Sequence, residues 1–167
     1  MSDLSSLFSD FTRSAFRLET LQTYTIPRDL ASYERFLAVE PKPDDYNATW
    51  EASVRKHVAA GKIMQRAKIV RRPFTDYTRY LFAWAIPGNS AAGEDYRILD
   101  LTDRDIGLPD QDFWLFDDRT VLLLHFNKDG TLRDRALADP GKLDQYRLWR
   151  DLALAEAVPF GEYSHRT

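Results

Sequence analysis

The feature that most constrains the fold is a series of short apolar segments in the second half of the chain, separated by turn residues. Strand candidates lie at residues 96–101, 113–116, 120–126 and 131–137. Residues 127–130 read Asn-Lys-Asp-Gly, and an Asp-Gly pair suits the left-handed positions of a hairpin turn. The pattern predicts a meander of antiparallel strands.

Two further strands are predicted in the first half of the chain. Apolar and polar residues alternate at 16–21, as in a strand with one buried face. Residues 62–70 also alternate, with basic side chains at the polar positions, and Pro73 limits the strand because proline cannot donate to a ladder.

Helices are predicted from capping residues and from apolar residues at helical spacing. Thr75 is a candidate N-cap for a helix through Trp84, which Pro87 and the following glycine would end. Gly61 suits the end of a helix over residues 48–60, since glycine readily adopts the left-handed conformation that terminates helices.

A last helix is predicted over residues 139–157, with Pro140 in its first turn. Its apolar residues follow helical spacing, and we expect Trp149 and Leu154 to be largely buried against the sheet. Truncation at Asp139 should then unfold the protein.

Helices that precede and follow hairpin-joined strands predict an α+β fold. We expect an antiparallel or mixed sheet of four to six strands with helices packed on it, including the segments around Ile69, Ile98, Val121 and Leu132. No repeat, low-complexity tract or linker divides the sequence, so residues 1–167 are predicted to form a single domain.

Composition excludes several kinds of site. The sequence has no cysteine, which removes disulfides, thiolate-bound metals and cysteine nucleophiles. No basic N-terminal stretch precedes an apolar run, and the longest apolar run is too short to span a bilayer, so a cytoplasmic protein without membrane contact is expected. The histidines, His57, His125 and His165, are scattered, and no metal or cofactor is assigned.

Charge is unevenly distributed although the formal net charge is only −3. Residues 50–80 carry eight basic and two acidic side chains, whereas residues 94–119 carry nine acidic and three basic ones. Two arrangements fit this division: separate patches of opposite sign on one molecule, or neighbouring segments that neutralise each other.

The basic segment holds the most interesting group of side chains, at a strand end and the start of the following helix. Its members are Arg66, Arg71, Arg72, Asp76, Tyr77, Arg79 and Trp84, with Tyr80 beside them. Guanidinium groups near a helix N-terminus bind phosphate, and aromatic rings among them can stack on bases. Alternatively, the aromatic residues are the buried face of the helix and the aspartate caps it or pairs with an arginine.

The acidic segment holds Glu94, Asp95, Asp117 and Asp118, with further aspartates at positions 100 and 112. Carboxylates on adjacent strands can coordinate Mg²⁺, and beside the arginines they would suit metal-assisted phosphodiester chemistry. Alternatively, the Asp117-Asp118 pair is simply a turn, where aspartate is favoured for local hydrogen bonds.

Residues 113–116, which read Phe-Trp-Leu-Phe, are unusually aromatic for a half-exposed strand. Alternate side chains point to opposite faces, so one pair must point away from the main core. Either a partner protein or a helix covers that pair, and the last helix, with Tyr146 and Trp149, is the favoured cover.

The familiar catalytic motifs for nucleotide binding, serine nucleophiles and zinc are absent. Five stretches instead resemble an uncharacterised, mainly actinobacterial family, domain of unknown function 6879: residues 16–21, 76–80, 92–100, 112–118 and 146–151. The resemblance runs nearly end to end. It implies a regulatory or partner-binding role beside helix-turn-helix regulators, and it supplies no catalytic residues.

Two functions are therefore weighed. The first is a non-enzymatic interaction module that acts with a protein partner, such as a DNA-binding regulator, through a charged or aromatic face. The second is a toxin-like enzyme that acts on nucleic acid through the local basic patch, with or without Mg²⁺. Convergence of the arginines and tyrosine with carboxylates in one concave pocket would favour the enzyme.

Overall fold

The computed structural model describes residues 4–164, which form one mixed sheet with helices on both faces. The strands are β1 (Ser14–Glu19), β2 (Ile63–Val70), β3 (Asp95–Asp100), β4 (Asp112–Phe116), β5 (Thr120–Phe126), β6 (Leu132–Leu137) and β7 (Val158–Pro159). The helices are α1 (Leu7–Asp10), α2 (Leu30–Leu37), α3 (Ala48–Ala59), α4 (Asp76–Tyr80), α5 (Ile86–Ala92), α6 (Leu143–Glu156) and α7 (Phe160–Ser164). A π-helical turn, Leu81–Ala85, joins α4 to α5.

The fold is α+β, but the expected number of four to six strands is wrong, because the sheet of residues 4–164 has seven. Six of them lie within two residues of the predicted segments. The seventh, β7, has only two residues and directly follows the segment predicted as the last helix. Proline is compatible with an edge strand, where no ladder donor is needed, and here it pairs with Arg97.

The sheet order is β6-β5-β4-β1-β2-β3-β7. β1, β2 and β3 are parallel, β1 pairs antiparallel with β4, and β4 to β6 form the expected meander. Because β1, β2 and β3 run in one direction, their carboxyl ends meet at one edge of the sheet, called here the carboxyl edge. Ligands of open sheets with parallel strands generally bind at such an edge.

The aromatic strand β4 is covered on both faces by the chain itself. Phe113 and Leu115 pack against α6, and the rings of Phe113 and Tyr146 are 5.0 Å apart. Trp114 and Phe116 point to the other face, where the ring of Phe8 lies 5.2 Å from each of them. The last helix therefore covers only one of the two pairs, and N-terminal elements cover the other.

The helix that begins after Thr75 extends further than predicted. Thr75 is the N-cap, and its hydroxyl accepts the backbone N–H of Thr78. Pro87 does not end the helix, because it falls at the start of α5, next to the π-helical turn, where a missing N–H costs little. The helix ends instead at Gly93, whose φ is +115°.

Helix α6 packs on the sheet as expected, but through partly different residues. Tyr146 and Ala153 are its most deeply buried residues, and Trp149 and Leu154, whose burial was predicted, are partly buried and pack against the same core. Nowhere in residues 4–164 is a helix long and apolar enough to cross a membrane.

The β5–β6 turn offers a test of how the hairpin docks on the rest of the chain. Gly130 has φ +85°, and its carbonyl accepts the backbone N–H of Thr25. A Cβ atom at this position would lie 2.9 Å from the carbonyl oxygen of Thr23. We expect Gly130→Ala to combine backbone strain with displacement of the docked segment, and to lower the free energy of unfolding in urea by about 2–4 kcal/mol.

Gly107 provides the matched control for this substitution. Its φ is +86°, nearly the same as that of Gly130, but no atom lies within 4 Å of the position that a Cβ would take. Gly107→Ala should therefore cost only the backbone strain, about 1–2 kcal/mol. Equal destabilisation by the two substitutions would contradict the docking of the hairpin on residues 23–25.

Candidate functional site

The predicted basic cluster is divided between the interior and the surface. Tyr77, Tyr80 and Trp84 are buried and contact one another in an aromatic core beneath α2. Arg66 lies elsewhere, in a network of charges at the centre of the sheet. The aromatic members are thus the buried face of the helix, which was one of the two interpretations of the sequence.

The other members, Arg71, Arg72, Asp76 and Arg79, are exposed near the carboxyl edge. They follow β2 and form the start of α4, as the sequence predicted. Arg66 lies within β2, whereas these side chains follow its end. The convergence that an enzyme built on these arginines requires is therefore not found among the described residues.

A network of buried charges lies on the sheet face opposite α6. It combines three basic and three acidic side chains, Arg17, Glu19, Arg66, Lys68, Glu94 and Asp112. The strand register brings them together, because Arg17 is beside Arg66 and Glu19 is beside Lys68 on the parallel strands β1 and β2. The formal charges balance, so the network carries no net charge.

Arg66 is the best satisfied cation of this network. Its Nε donates to Glu94 Oε1 at 2.6 Å, and its Nη1 donates to Glu19. The guanidinium also lies 5.2 Å from the ring centre of Tyr96 and 5.6 Å from that of Trp114. Such an arrangement holds the arginine in the interior and leaves it no free face for an anionic ligand.

Asp112 is held by four donors. Arg17 Nη2 donates to it at 2.7 Å and the Tyr24 hydroxyl at 2.7 Å, while the backbone N–H and hydroxyl of Thr20 donate at 2.9 and 2.5 Å. Asp112 is 2% exposed, so these donors replace the lost hydration of its carboxylate. Asp112 therefore ties the end of β1 to the start of β4.

Lys68 is the least well satisfied member of the network. Its side chain is fully buried, and its Nζ lies 3.4 Å from Glu19 Oε2 and 3.5 Å from the carbonyl oxygen of Leu21. The ring of Tyr24 lies 5.3 Å from the same ammonium. Burial lowers the pKa of Lys68, although the charge of Glu19 opposes this shift. Lys68 thus depends on a single carboxylate.

Glu19 is the central anion of the network. Burial by itself would raise the pKa of Glu19, but the charges of Arg66, Lys68 and Arg17 outweigh burial and hold the pKa at about 2. The carboxylate therefore stays ionised at neutral pH. Removal of its charge would leave two buried cations, Arg66 and Lys68, without their shared partner.

Sequence reasoning missed this network although a signal was present. Arg17 and Glu19 alternate with Phe16 and Leu18, and charged residues in such positions ordinarily indicate a solvated strand face. Here both faces of the sheet are covered by helices. The opposite charges on β1 and β2 would have indicated ion pairs between the two strands only if the register of β1 against β2 had been known.

The predicted acidic cluster is also dispersed. Glu94 belongs to the buried network, and Asp95 accepts hydrogen bonds from Gln65 and Arg97 on neighbouring positions of β2 and β3. Glu94 and Asp95 therefore each have protein partners rather than an open coordination site. Within residues 4–164, no group of three or more histidine, aspartate or glutamate side chains is arranged to hold a metal ion.

Asp117 and Asp118 form the β4–β5 turn, with φ of 54° and 59°. The carboxylate of Asp117 accepts the backbone N–H groups of Thr12, Arg13 and Ser14, and these bonds lower its pKa against the opposing effect of burial. The pair is thus a turn, as one interpretation of the sequence proposed, but the hydrogen bonds of Asp117 are not local, because they anchor the start of β1.

The basic and acidic segments neutralise each other where β2 and β3 are neighbours. Arg66 binds Glu94, and Arg72 Nε lies 3.2 Å from Asp100 Oδ2. The parallel pairing of β2 with β3 places these side chains next to one another. The division of charge along the sequence therefore becomes, at these positions, a set of ion pairs.

A group of exposed arginine and half-buried phenylalanine side chains lies at and beside the carboxyl edge, called here the arginine–aromatic surface. Its members are Arg71, Arg72, Phe74, Arg79, Phe82 and Phe160. The ring of Phe82 lies 5.3 Å from that of Phe74 and 5.5 Å from that of Phe160, and all three rings are half-buried. They form a continuous apolar row between α4 and α7.

The arginines of this surface are held in different ways. Arg72 lies 4.8 Å above the ring of Phe74 and donates to the Tyr163 hydroxyl at 2.9 Å, and Arg79 donates to the Phe74 carbonyl oxygen at 2.5 Å. The guanidinium of Arg71 has no hydrogen-bond or ion-pair partner among the described residues. The backbone N–H of Arg71 donates a hydrogen bond to Gln22 Oε1. The surface thus combines one guanidinium without a partner, that of Arg71, with one held over a phenylalanine ring, that of Arg72.

The histidines do not converge. His57 is buried in α3, where its ring lies 4.5 Å from that of Phe11. His125 lies on β5 and contacts Asp134 on β6. His165 lies outside the described residues. A catalytic group built from His57 and His125 is therefore not present.

Comparisons with known proteins give a family but no activity. The sequence pattern of a family described as Domain of unknown function (DUF6879) matches residues 2–165. No curated protein sequence matches the chain significantly. Among solved structures, NucT from Helicobacter pylori covers 93% of this chain and 89% of its own, with 16% identity and a TM-score of 0.49, a similarity too low to establish a common fold.

Proposed function

Since the chain belongs to the DUF6879 family, whose description assigns no activity, we propose its function from the site: a non-enzymatic interaction module that binds a partner protein through the arginine–aromatic surface. The observation that carries this proposal is the row of Phe74, Phe82 and Phe160 beside the exposed arginines. Aromatic residues and arginine are the types enriched at the centres of protein interfaces.

The chemistry of the surface specifies the kind of partner. Arg72 is paired with Asp100 and Arg79 with Asp76, at 3.2 and 3.3 Å. The unpaired charge of the surface is therefore that of Arg71, which attracts an acidic segment. The half-buried rings would receive apolar side chains of the same segment, while Arg71 is available to bind a carboxylate bidentately. The resemblance to companions of helix-turn-helix regulators makes such a regulator the first partner to test.

The alternative, a toxin-like enzyme that acts on nucleic acid with or without Mg²⁺, needs these arginines near an acid–base pair or metal-binding carboxylates. In the part of the chain that the structure describes, Arg66 is enclosed by Glu19 and Glu94, and the surface arginines lie apart from it. The observations therefore favour the interaction module.

We expect the double substitution Arg71→Ala/Arg72→Ala to abolish partner recovery without unfolding the protein. Both side chains are exposed, and the ion pair of Arg72 with Asp100 is accessible to solvent, so the free energy of unfolding should change by less than about 1 kcal/mol. The measurement is quantitative mass spectrometry of proteins recovered on the immobilised chain from a lysate of its native host.

The matched control is Arg13→Ala/Arg119→Ala, which removes the same charge at the opposite edge of the sheet. One acidic partner should be recovered with the parent and with this control, and lost with the first variant. Binding and hydrolysis of RNA and DNA oligonucleotides are measured on the same proteins. Retention of every partner by Arg71→Ala/Arg72→Ala contradicts the proposal, and loss of RNA or DNA hydrolysis instead favours the enzyme.

A further inference from the structure

A second feature of the carboxyl edge is a small cavity of about 230 Å³ between the end of β1, the start of β4, the end of β5 and the start of β6. Its polar lining consists of Thr20, Asp110, Gln111, Asp112, His125 and Arg133. None of these residues belongs to the arginine–aromatic surface. The volume is below the roughly 300–1,000 Å³ of pockets for drug-sized ligands, so any occupant must be small.

One wall of the cavity presents hydrogen-bond acceptors. The carboxylate of Asp110 is exposed and has no hydrogen-bond or ion-pair partner among the described residues. Gln111 Nε2 donates to the carbonyl oxygens of Asp112 and Leu124 at 2.9 and 2.8 Å, so its Oε1 remains available as an acceptor. Thr20 donates its hydroxyl hydrogen to Asp112 and likewise keeps a free lone pair. This wall suits an ammonium group.

A second wall, from β5 and β6, presents a guanidinium and an imidazole that both contact one carboxylate. Asp134 accepts from Arg133 Nε at 3.0 Å and contacts His125 Nδ1. The β5–β6 register shifts between His125 and Phe126, and shifts of the kind found at β-bulges characteristically redirect side chains. The terminal nitrogens of Arg133 have no partner among the described residues and match the geometry of a carboxylate.

From these two walls we propose that the cavity binds a small zwitterion of the α-amino acid class. The ligand's ammonium group binds Asp110 and Gln111, and its carboxylate binds Arg133, with His125 beside it. A simple carboxylic acid would meet the unpaired carboxylate of Asp110, and a simple amine would leave the terminal nitrogens of Arg133 without a carboxylate, so each would bind more weakly than a molecule with both groups. The site is separate from the partner-binding surface and does not depend on the proposed function.

The test is calorimetric titration of the full chain with alanine, with propionate, which lacks the amine, and with ethylamine, which lacks the carboxylate; the other small amino acids are titrated in parallel. At least one α-amino acid should bind saturably. Its affinity should exceed that of the matched acid and amine by about 10-fold or more, because each lacks one charge-assisted contact.

Two substitutions in the walls and one outside them complete the test. Arg133→Gln and Asp110→Asn should each weaken amino acid binding about 10-fold or more, whereas Arg135→Gln, on the same exposed strand but outside the cavity lining, should change it less than about 2-fold. Absence of binding at about 10 mM of every amino acid, equal affinity for propionate, or unchanged binding by both wall variants overturns the proposal.

Discussion

Replacement of Glu19 by glutamine should lower the free energy of unfolding by about 3–5 kcal/mol, because it leaves buried cations without a charged partner. Lys68 is fully buried and has no other carboxylate within ion-pair distance among the described residues, and Arg66 loses one of its two carboxylates. Glutamine keeps nearly the same shape, so the change reports charge rather than packing. Urea unfolding at neutral pH measures it.

Two further measurements separate the network from a general loss of packing. In the variant that combines Glu19→Gln with Lys68→Met, the buried ammonium is absent. Its free energy of unfolding should therefore be about 1–3 kcal/mol higher than that of Glu19→Gln alone, as measured in a double-mutant cycle. The pKa of Glu19 is lowered from 4.5 to about 2, so its contribution is present above pH 4.5 and is lost as the pH falls towards 2. The difference between parent and Glu19→Gln should shrink accordingly. A pH-independent difference of less than about 1 kcal/mol would contradict the network's role.

A chain truncated at Asp139 should not fold. It lacks α6 and with it the cover of the sheet face that holds Phe113 and Leu115. Each large side chain returned to water costs about 1.5–3 kcal/mol, so a few of them cancel a total stability of about 5–15 kcal/mol. Circular dichroism during heating should show no cooperative transition.

The point substitutions Tyr146→Ala and Leu148→Ala serve as controls for this truncation. Tyr146 is 8% exposed and contacts Phe113, so its loss should cost about 3–5 kcal/mol, whereas Leu148 is 63% exposed and its loss should cost less than about 0.5 kcal/mol. A truncated chain that melts cooperatively at the temperature of the parent would show that α6 is dispensable.

The strands were predictable because their signals are local. Alternation and the Asp-Gly turn placed six strands, and the hydroxyl of Thr75 caps its helix as the sequence indicated. The continuation of that helix past Pro87 was not predictable, because it depends on a π-helical turn that shifts the proline to the beginning of a new helical segment.

The sites were less predictable because their residues are brought together only by strand register and helix packing. The phenylalanines of the arginine–aromatic surface come from positions 74, 82 and 160, and no spacing in the sequence links the last to the first two. Arg66 and Arg72 are close in the sequence, but one lies inside the sheet layer and the other at its edge. Because the two arginines are close in the sequence, they were predicted to belong to one site, but the fold separates them.

The most direct measurement of the central claim is the Kd of the purified partner for three proteins, the parent, Arg71→Ala/Arg72→Ala and Arg13→Ala/Arg119→Ala, at several salt concentrations. We expect the first variant to bind at least about 10-fold more weakly and with a smaller dependence on salt, since it lacks the charges that salt screens. The control should match the parent. Equal affinity and equal salt dependence of all three proteins would contradict binding through the arginine–aromatic surface.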